Sequence, residues 1–294
     1  MKLGIMMFTT EYTIRPDELA RACEERGFDS VWFPEHTHIP VSRISPYPSG
    51  APLPKEYSHT YDLIVALMAA AAATTKINLG SAICLVTERD PIILAKEVAS
   101  VDRLSNGRLT LGIGAGWNAD ECENHGVPFK KRWKVMWERL EAMKAIWTKD
   151  EAEYHGEFVN FDPIWCYPKP VQKPHPPVIF GTNTEKGLDR VAQYCDGWIS
   201  NPRGVGQLPE MVRYLRTAAE KFGRRPDDIS LTCLGAAGDE AAIKERGFPT
   251  LDTSAVMKCR DLGFKQAIFM IPSEASEKTL PVLDEFAALI PKVA

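Results

Sequence analysis

Residues 26–33 read RGFDSVWF, and this stretch decides the fold because it runs from a helix end through a glycine and a turn into a buried strand. Residues 262–269, LGFKQAIF, repeat that order near the other end of the chain, and residues 195–199, CDGWI, form a looser third copy. Glycine commonly ends a helix because it tolerates the left-handed conformation. The three copies predict a repeated strand–helix plan.

Apolar runs and segments of helical spacing alternate along the chain, with apolar residues of the helical segments recurring every three or four positions. This alternation predicts an α/β fold, a single (β/α)8 TIM barrel over residues 1–294. An open doubly wound sheet is the alternative, but it often has a G-x-G-x-x-G turn after strand one, where this chain has FTTE at 8–11. The predicted strands are Leu3–Phe8, Ser30–Pro34, Ile77–Leu85, Leu109–Gly114, Pro177–Phe180, Gly197–Ser200, Ile229–Leu234 and Gln266–Ile271.

Two segments interrupt the alternation. Residues 39–59 are rich in Pro, Ser and Tyr. They follow predicted strand two, so this long loop lies on the carboxyl face of a barrel, where substrates bind. Residues 151–176 begin as a hairpin and continue as a Pro-rich excursion before strand five. We interpret them as an insertion within one domain, because Trp165 and Tyr167 indicate packing.

Composition excludes several classes of protein. The 294 residues are 45% apolar and 25% charged, which is typical of a globular domain. A net charge of −4 without a basic run argues against a nucleic-acid partner. The longest apolar stretch, residues 63–73, is too short for a bilayer, so we expect no membrane partner. Seven scattered cysteines without a C-x-x-C pair predict reduced thiols and a cytoplasmic location.

A carboxylate and an imidazole stand side by side in residues 32–38, WFPEHTH, where predicted strand two ends. Barrel chemistry lies at the carboxyl ends of the strands. A carboxylate next to an imidazole can relay protons near neutral pH. Glu35 and His36 are therefore candidate catalytic residues, and capping of the loop through backbone hydrogen bonds is the structural alternative.

The pair His36 and His38 also resembles the H-x-H ligands of metal-dependent amidohydrolase barrels. That chemistry needs further ligands at later strand ends, whereas strands five and six are followed by GTN at 181–183 and NP at 201–202. The amidohydrolase pair also follows the first strand rather than the second. A metal-dependent hydrolase is therefore a remote alternative, and we expect no metal site.

Two glycine-containing turns are suited to a cofactor. Residues 111–118, LGIGAGWN, end predicted strand four, and their spaced glycines let a planar ring or a phosphate approach the backbone. Residues 180–187, FGTNTEKG, lead into a helix whose first amides would bind an anion. Close strand packing explains the first turn equally well, and a plain N-cap at Thr184 is compatible with the second. The polar residues 120–125, DECENH, suggest a metal site, but their position on a polar turn favours a solvated surface.

These motifs together resemble the luciferase-like monooxygenase superfamily of flavin and deazaflavin barrels. More narrowly, the chain is similar to the branch of oxidoreductases that use coenzyme F420, a 5-deazaflavin. The resemblance covers nearly the whole chain and is weakest over residues 236–253. The stretches that match in order are FPEHTHIP at 33–40, YSHT at 57–60, LGSAICL at 79–85, ERDP at 88–91, DRLSNGR at 102–108 and GIGAGWN at 112–118.

The resemblance implies a tricyclic cofactor at the carboxyl mouth of the barrel. Its ring would lie against a bulged strand three, where family members often carry a non-prolyl cis peptide. The matching bond is Ala82–Ile83, with Ser81–Ala82 as the neighbouring possibility. The residues implied to bind the cofactor are Ser81, Ala82, Ile83, Gly114, Ala115, Gly116 and Asn118 at the ring, and Gly181, Thr182, Asn183 and Thr184 at the phosphate.

The resemblance further implies an oxidoreductase that transfers a hydride between F420 and a small organic substrate. His36 would give or take the proton, and Glu35 would orient it in place of the aspartate found in some deazaflavin dehydrogenases. Arg43, Tyr57 and His59 of the long loop would meet the substrate.

Two other functions stay open. An FMN-dependent monooxygenase, supplied with reduced flavin by a separate reductase, would use the same ring and phosphate sites. The second open function is that of a cofactor-binding protein without turnover. The resemblance also implies a homodimer packed through barrel helices. The Ala-rich residues 60–73 suit such packing, but contact within the subunit explains them equally well.

Overall fold

The computed structural model describes residues 1–41, 44–48, 50–200, 205–235 and 253–293. Strands and helices alternate through these ranges, as the apolar runs predict. The strands are β1 (Lys2–Met6), β2 (Ser30–Phe33), β3 (Asn78–Ser81), β4 (Cys84–Leu85), β5 (Leu109–Gly114), β6 (Glu151–His155), β7 (Asn160–Trp165), β8 (Val178–Gly181), β9 (Gly197–Ser200), β10 (Ser230–Leu234) and β11 (Gln266–Met270).

Parallel pairing closes the strands into a barrel. The order of neighbours is β1, β2, β3, β5, β8, β9, β10 and β11, and β11 pairs with β1 to complete the ring. Short β4 continues β3 and also pairs with β5. The predicted (β/α)8 TIM barrel is therefore confirmed, and the strand boundaries lie within two residues of the prediction except at the end of strand three.

Helices surround the barrel. The helices in the described residues are α1 (Pro16–Glu25), α2 (Leu63–Ala73), α3 (Pro91–Leu104), α4 (Ala119–Asn124), α5 (Arg132–Thr148), α6 (Glu185–Tyr194), α7 (Leu208–Lys221), α8 (Thr253–Asp261), α9 (Ser276–Ala287) and α10 (Ile290–Val293). Aspartates start two of them: the Asp62 and Asp90 side chains accept from the first amides of α2 and α3. None of the described helices combines the length and apolar character of a membrane span.

The barrel interior is filled by side chains. Trp32 on β2 lies so close to β3 that a Cβ at Gly80 would come within 2.1 Å of its ring, which requires glycine there. Apolar side chains of several strands meet inside the barrel, and this cluster contains Met6, Phe8, Trp32, Ala82, Ile179, Ile199 and Ile268. The barrel is thus a packed core, and ligands have access only at its ends.

Strand three differs from its prediction. The apolar run Ile77–Leu85 predicts one strand, but β3 and β4 are separated at Ala82–Ile83, whose peptide bond is cis. The cis bond lies where the resemblance places it. A Cβ at Gly112 would come within 2.1 Å of the carbonyl oxygen of Ser81, so glycine on β5 admits this segment.

Both interruptions of the alternation lie where they are predicted. The long loop follows β2, and the hairpin β6–β7 precedes β8. The prediction that Trp165 and Tyr167 pack against the barrel was wrong, because these side chains are 77% and 51% exposed. The hairpin is held instead by buried Ala152 and by Phe161 and Ile164, which pack against the main core. The Ala-rich helix α2 packs against α1 within the subunit.

Candidate active site

An imidazole and a carboxylate from two loops meet at the carboxyl end of the barrel. His36 lies beyond β2, and Glu121 lies in α4, beyond β5. His36 Nδ1 is 2.8 Å from Oε2 and 3.0 Å from Oε1 of Glu121, and both side chains are buried. A carboxylate on one ring nitrogen fixes the tautomer and the ring orientation. The arrangement directs proton exchange with a bound molecule to the other nitrogen, Nε2.

Glu35 does not orient His36. Its Oε2 accepts a hydrogen bond from the Leu85 amide at 2.6 Å, and its Oε1 accepts from Arg89 Nε at 2.6 Å. Arg89 also donates to Asp62, the residue that caps α2. Burial lowers the pKa of the Arg89 guanidinium, but the charge of Glu35 and the hydrogen bonds to Glu35 and Asp62 together outweigh burial, so the pKa is raised. The expected pairing was wrong, because Glu35 contacts Leu85 and Arg89 whereas His36 contacts Glu121.

Glu121 replaces Glu35 as the partner of His36, although the sequence places residues 120–125 on a solvated surface. Glu121 and Cys122 are buried, while Glu123 is exposed. The cause is a small apolar cluster of Cys122 and Val127 with Val135 of α5, which turns one face of α4 inward. An apolar Cys122 beside Glu121 is the sequence signal for this burial.

A third carboxyl group, Glu88, is buried beside this pair and was not among the predicted site residues. Thr37 Oγ1 donates to Glu88 Oε2 at 3.3 Å. Burial, together with the charges of Glu121 and Glu35, raises the pKa of Glu88 to about 9. The raised pKa favours the uncharged acid form of Glu88.

Aromatic rings surround His36. The Tyr57 ring lies 4.5 Å from Phe8 and 5.1 Å from His36, measured between ring centroids. Trp117 approaches His36 edge-on at 5.8 Å. The hydroxyls of Tyr57 and Tyr47 are 3.1 Å apart, and burial raises the pKa of Tyr57, which keeps the phenol neutral. Tyr57, predicted to meet the substrate, thus forms a wall beside the imidazole.

His59, also predicted to meet the substrate, contacts Glu11 and Tyr12. His59 Nδ1 lies 2.7 Å from Glu11 Oε1, and its ring contacts Tyr12 edge-on. Arg43 lies outside the described residues.

The predicted ring-binding residues come together where β3 and β5 end. Ser81 Oγ donates to the carbonyl of Gly112 at 2.8 Å, and the Ala82 amide donates to Phe33. A Cβ at Gly114 would come within 1.9 Å of Ile83 Cδ1, so Ile83 covers that glycine closely. The buried residues of this group are Ser81, Ala82, Gly114, Ala115 and Asn118.

Asn118 precedes α4 and carries a buried side-chain amide. The residue is 1% exposed, and neither its Oδ1 nor its Nδ2 has a hydrogen-bond partner among the described residues. A buried amide without partners costs free energy, and such groups call for an explanation such as an absent ligand. Gly116, with φ at 74°, turns the backbone between Ala115 and Asn118.

The predicted phosphate-binding residues precede α6. Thr184 caps this helix, since its side chain accepts from the Gly187 amide at 3.1 Å. Trp198 Nε1 donates to the carbonyl of Thr182 at 2.7 Å and holds the turn on the barrel. Asn183 and Thr184 are exposed, so a ligand can reach the positive end of the helix dipole.

The side chains of His36 and His38 have different partners. His36 contacts Glu121, whereas His38 Nε2 lies 2.9 Å from Asn124 Nδ2. Within the described ranges, no three His, Cys, Asp or Glu side chains are grouped to hold a metal.

Comparison with known proteins finds relatives in sequence and in fold. The sequence profile of the luciferase-like monooxygenase family matches residues 9–242. The Mycobacterium tuberculosis (strain ATCC 25618 / H37Rv) protein Rv0953c is 39% identical over 294 residues, which are 98% of each chain. The FMNH(2)-dependent dimethylsulfone monooxygenase of Pseudomonas putida is 30% identical over 155 residues, 52% of this chain and 42% of the other.

A solved structure shows the same fold at low identity. An F420-dependent secondary alcohol dehydrogenase, in complex with an F420–acetone adduct, superposes with a TM-score of 0.76 at 18% identity, over 100% of this chain and 99% of that one. Proteins similar to this chain in sequence or fold thus include an F420-dependent enzyme and an FMNH(2)-dependent enzyme. From the extent of the profile match and the full-length relative, we conclude that the chain belongs to the luciferase-like monooxygenase family.

Proposed function

We propose that this protein is an oxidoreductase that transfers a hydride between coenzyme F420 and a small organic substrate, with His36 exchanging the accompanying proton. The buried contact between His36 and Glu121 is the observation that carries the proposal. Interconversion of an alcohol and a carbonyl moves a proton at oxygen together with the hydride at carbon. An oriented imidazole at the mouth of the barrel is suited to that proton.

The residues around the mouth fit a deazaflavin. The unpartnered amide of Asn118 would meet a polar edge of the ring, and Ala82, Ile83 and Gly114 would line one side of it. The turn at 181–184 would hold the phosphate through the first amides of α6. When bound, the deazaflavin supplies a ring carbon that gives or takes a hydride.

The substrate would lie between that ring and the aromatic wall. Tyr57, Tyr47 and Trp117 offer flat apolar surfaces and neutral hydroxyls around His36. These surfaces favour a compact, uncharged molecule. A substrate screen should begin with short secondary alcohols and ketones, the class on which the F420-dependent structural neighbour acts.

An FMN-dependent monooxygenase is the second candidate, and the dimethylsulfone monooxygenase relative supports it. The ring and phosphate residues would serve FMN equally well, and a separate flavin reductase would then be a partner. A homodimer and a cytoplasmic location stay predictions.

A titration with both cofactors tests the proposal. We expect F420 to bind with submicromolar affinity, as measured by the quenching of its fluorescence. Oxidised FMN should bind far more weakly under the same conditions. Tight binding of FMN alone would favour the monooxygenase, and binding of neither would reject both functions.

Replacement of His36 tests the proposed chemistry. In His36→Ala, we expect F420 affinity to stay within about tenfold of the wild type, because the ring and phosphate contacts are intact, while turnover falls by about 10² to 10⁴. His155→Ala, which changes an exposed histidine of the hairpin, is the control and should leave both quantities unchanged. Unchanged turnover in His36→Ala would reject the role of His36.

A further inference from the structure

A continuous series of proton-carrying groups leads from His36 to the protein surface. His36 Nδ1 contacts Glu121 at 2.8 Å, and the buried carboxyl groups of Glu121 and Glu88 interact with each other. Glu88 accepts from Thr37 Oγ1 at 3.3 Å. Thr37 Oγ1 lies 2.7 Å from His125 Nε2, and the His125 side chain is 29% exposed. The first three groups are buried and the last one reaches solvent.

The contact between the two carboxyl groups requires a proton. Two carboxylates in contact at a buried site repel each other, so one of them is protonated. Glu88 Oε2 is occupied by Thr37, whereas no donor in the described part of the chain reaches Oε1. A proton on Glu88 supplies the missing donor between the two groups. The raised pKa of Glu88 agrees with this assignment.

The positive groups near Glu88 do not form hydrogen bonds with its carboxyl group, so they do not favour loss of its proton. Arg139 of α5 donates to the carbonyls of Val86 and Arg89, which lie on either side of Glu88 in the chain. His125 Nε2 is 4.0 Å from Glu88 Oε2, and burial and the charge of His38 lower the pKa of His125. The titratable or charged groups that face Glu88 are Glu35, His125 and Glu121, with Cys122 and Arg139 at greater remove.

We propose that Glu88 holds and passes a proton between the buried His36–Glu121 pair and the Thr37–His125 pair at the surface, so that His36 exchanges protons with solvent. The proposal rests on the proposed proton-exchange role of His36. Glu88 acts through Glu121 and is a positioning and relay residue.

Each step of the relay conserves protons. His36 gives its Nδ1 proton to Glu121 as its Nε2 takes one from the substrate. The Glu88 carboxyl group turns so that its protonated oxygen faces Thr37, whose hydroxyl turns toward His125. Glu88 then gives its proton to Thr37 Oγ1, while the Thr37 hydroxyl proton passes to His125 Nε2 and then to water. Glu88 regains a proton from Glu121. One proton has then moved from substrate to solvent, and His36 carries its own proton on Nε2. The reverse order brings one proton in and returns that of His36 to Nδ1.

Exchange of the His36 imidazole proton with water measures this relay in cofactor-free protein. The protein is labelled with ¹⁵N-histidine, and magnetisation transfer from water to the ring N–H is followed by NMR, with the resonance assigned through His36→Gln. Glu88→Gln keeps the shape of the side chain but cannot accept a proton as the carboxyl does. We expect exchange at His36 to slow about tenfold or more in this variant.

Thr37 provides a second, independent test. Thr37→Val removes the hydroxyl with little change of shape, and Thr37→Ser retains it. We expect slowed exchange in the valine variant and near wild-type exchange in the serine variant. The control is Glu123→Gln, which changes an exposed acid of α4, the helix that carries Glu121. In this variant the His36 proton should exchange as in the wild type.

Three results would overturn the proposal: unchanged exchange in both Glu88→Gln and Thr37→Val, equal slowing in Thr37→Val and Thr37→Ser, or a His36 ring proton too fast to observe in the wild type and in both variants. Because no cofactor is present, these outcomes are independent of the F420 titration. The relay can fail while F420 binds, and F420 binding can fail while the relay operates.

Discussion

His36 Nδ1 lies 2.8 Å from Glu121 Oε2, although the two residues are 85 positions apart in the chain. The contact joins the loop after β2 to the short helix after β5. Neither loop alone contains both side chains. The closed barrel brings the two loops together at the carboxyl ends of its strands. The first prediction follows from this contact.

Glu121→Ala should release the His36 tautomer. In the wild type we expect a single form with the proton on Nδ1, because the carboxylate accepts there. The alanine variant should show a mixture of tautomers in the ¹⁵N chemical shifts of His36, and turnover should fall by about 10² to 10⁴. Glu121→Gln still offers an accepting oxygen and should keep the single tautomer. An unchanged tautomer in Glu121→Ala would contradict the assignment.

Arg89 should be important for stability. It neutralises buried Glu35 and also binds Asp62. Arg89→Met leaves the Glu35 charge buried and unpaired, so we expect the free energy of unfolding to fall by about 3–5 kcal/mol. The matched control is Arg15→Met, which breaks an exposed pair with Asp17 and should cost no more than about 1 kcal/mol. Urea unfolding of both variants provides the comparison, and equal costs would show that the buried pair contributes no more than the exposed one.

Asn118 should show opposite effects on stability and on binding. Asn118→Leu replaces two unpartnered polar atoms with apolar ones of similar size, so the cofactor-free protein should be more stable by about 1–3 kcal/mol. Its affinity for F420 should fall about tenfold or more, since a hydrogen-bonding group toward the ligand is lost. Thermal unfolding and fluorescence titration measure the two effects. Asn118→Asp, which buries a charge, should be less stable than the wild type, and a loss of stability in Asn118→Leu would count against an unpartnered amide.

The acid Glu88 should make stability depend on pH. Its native pKa of about 9 lies above the ordinary value of 4.5, so between these values the unfolded chain binds fewer protons than the native protein. The free energy of unfolding therefore falls as pH rises through this range. Glu88→Gln stays neutral and should lose less stability with rising pH, as measured by urea unfolding at several pH values. Parallel curves for wild type and variant would contradict the raised pKa, and Glu123→Gln should follow the wild type.

Much of the fold could be predicted from the sequence, because it depends on periodicity. The repeated stretches at 26–33 and 262–269 do form equivalent helix–strand junctions that lead into β2 and β11. The interruption of strand three could not be read from apolar character, since Ala82 and Ile83 are as apolar as a strand requires. It was expected only through the resemblance to a family.

The site was predicted in part. His36 and Tyr57 lie at the mouth, and Thr184 caps its helix. The carboxylate partner was assigned to the neighbour in sequence, Glu35, whereas contacts in a barrel form between loops that are distant in sequence. The buried acid Glu88 was missed for a related reason, because the direction of its side chain depends on the short 3-10 turn that follows β4.

The separation of Glu35 from Glu121 has a consequence for the history of such barrels. One carboxylate anchors the frame through Arg89, and the other tunes the imidazole, so a change in either need not disturb the other. A descendant could exchange the α4 loop and acquire a different reaction while keeping the anchored frame intact. Substitutions that change the reaction and substitutions that change stability thus fall on different residues, although both carboxylates lie at the same end of the barrel.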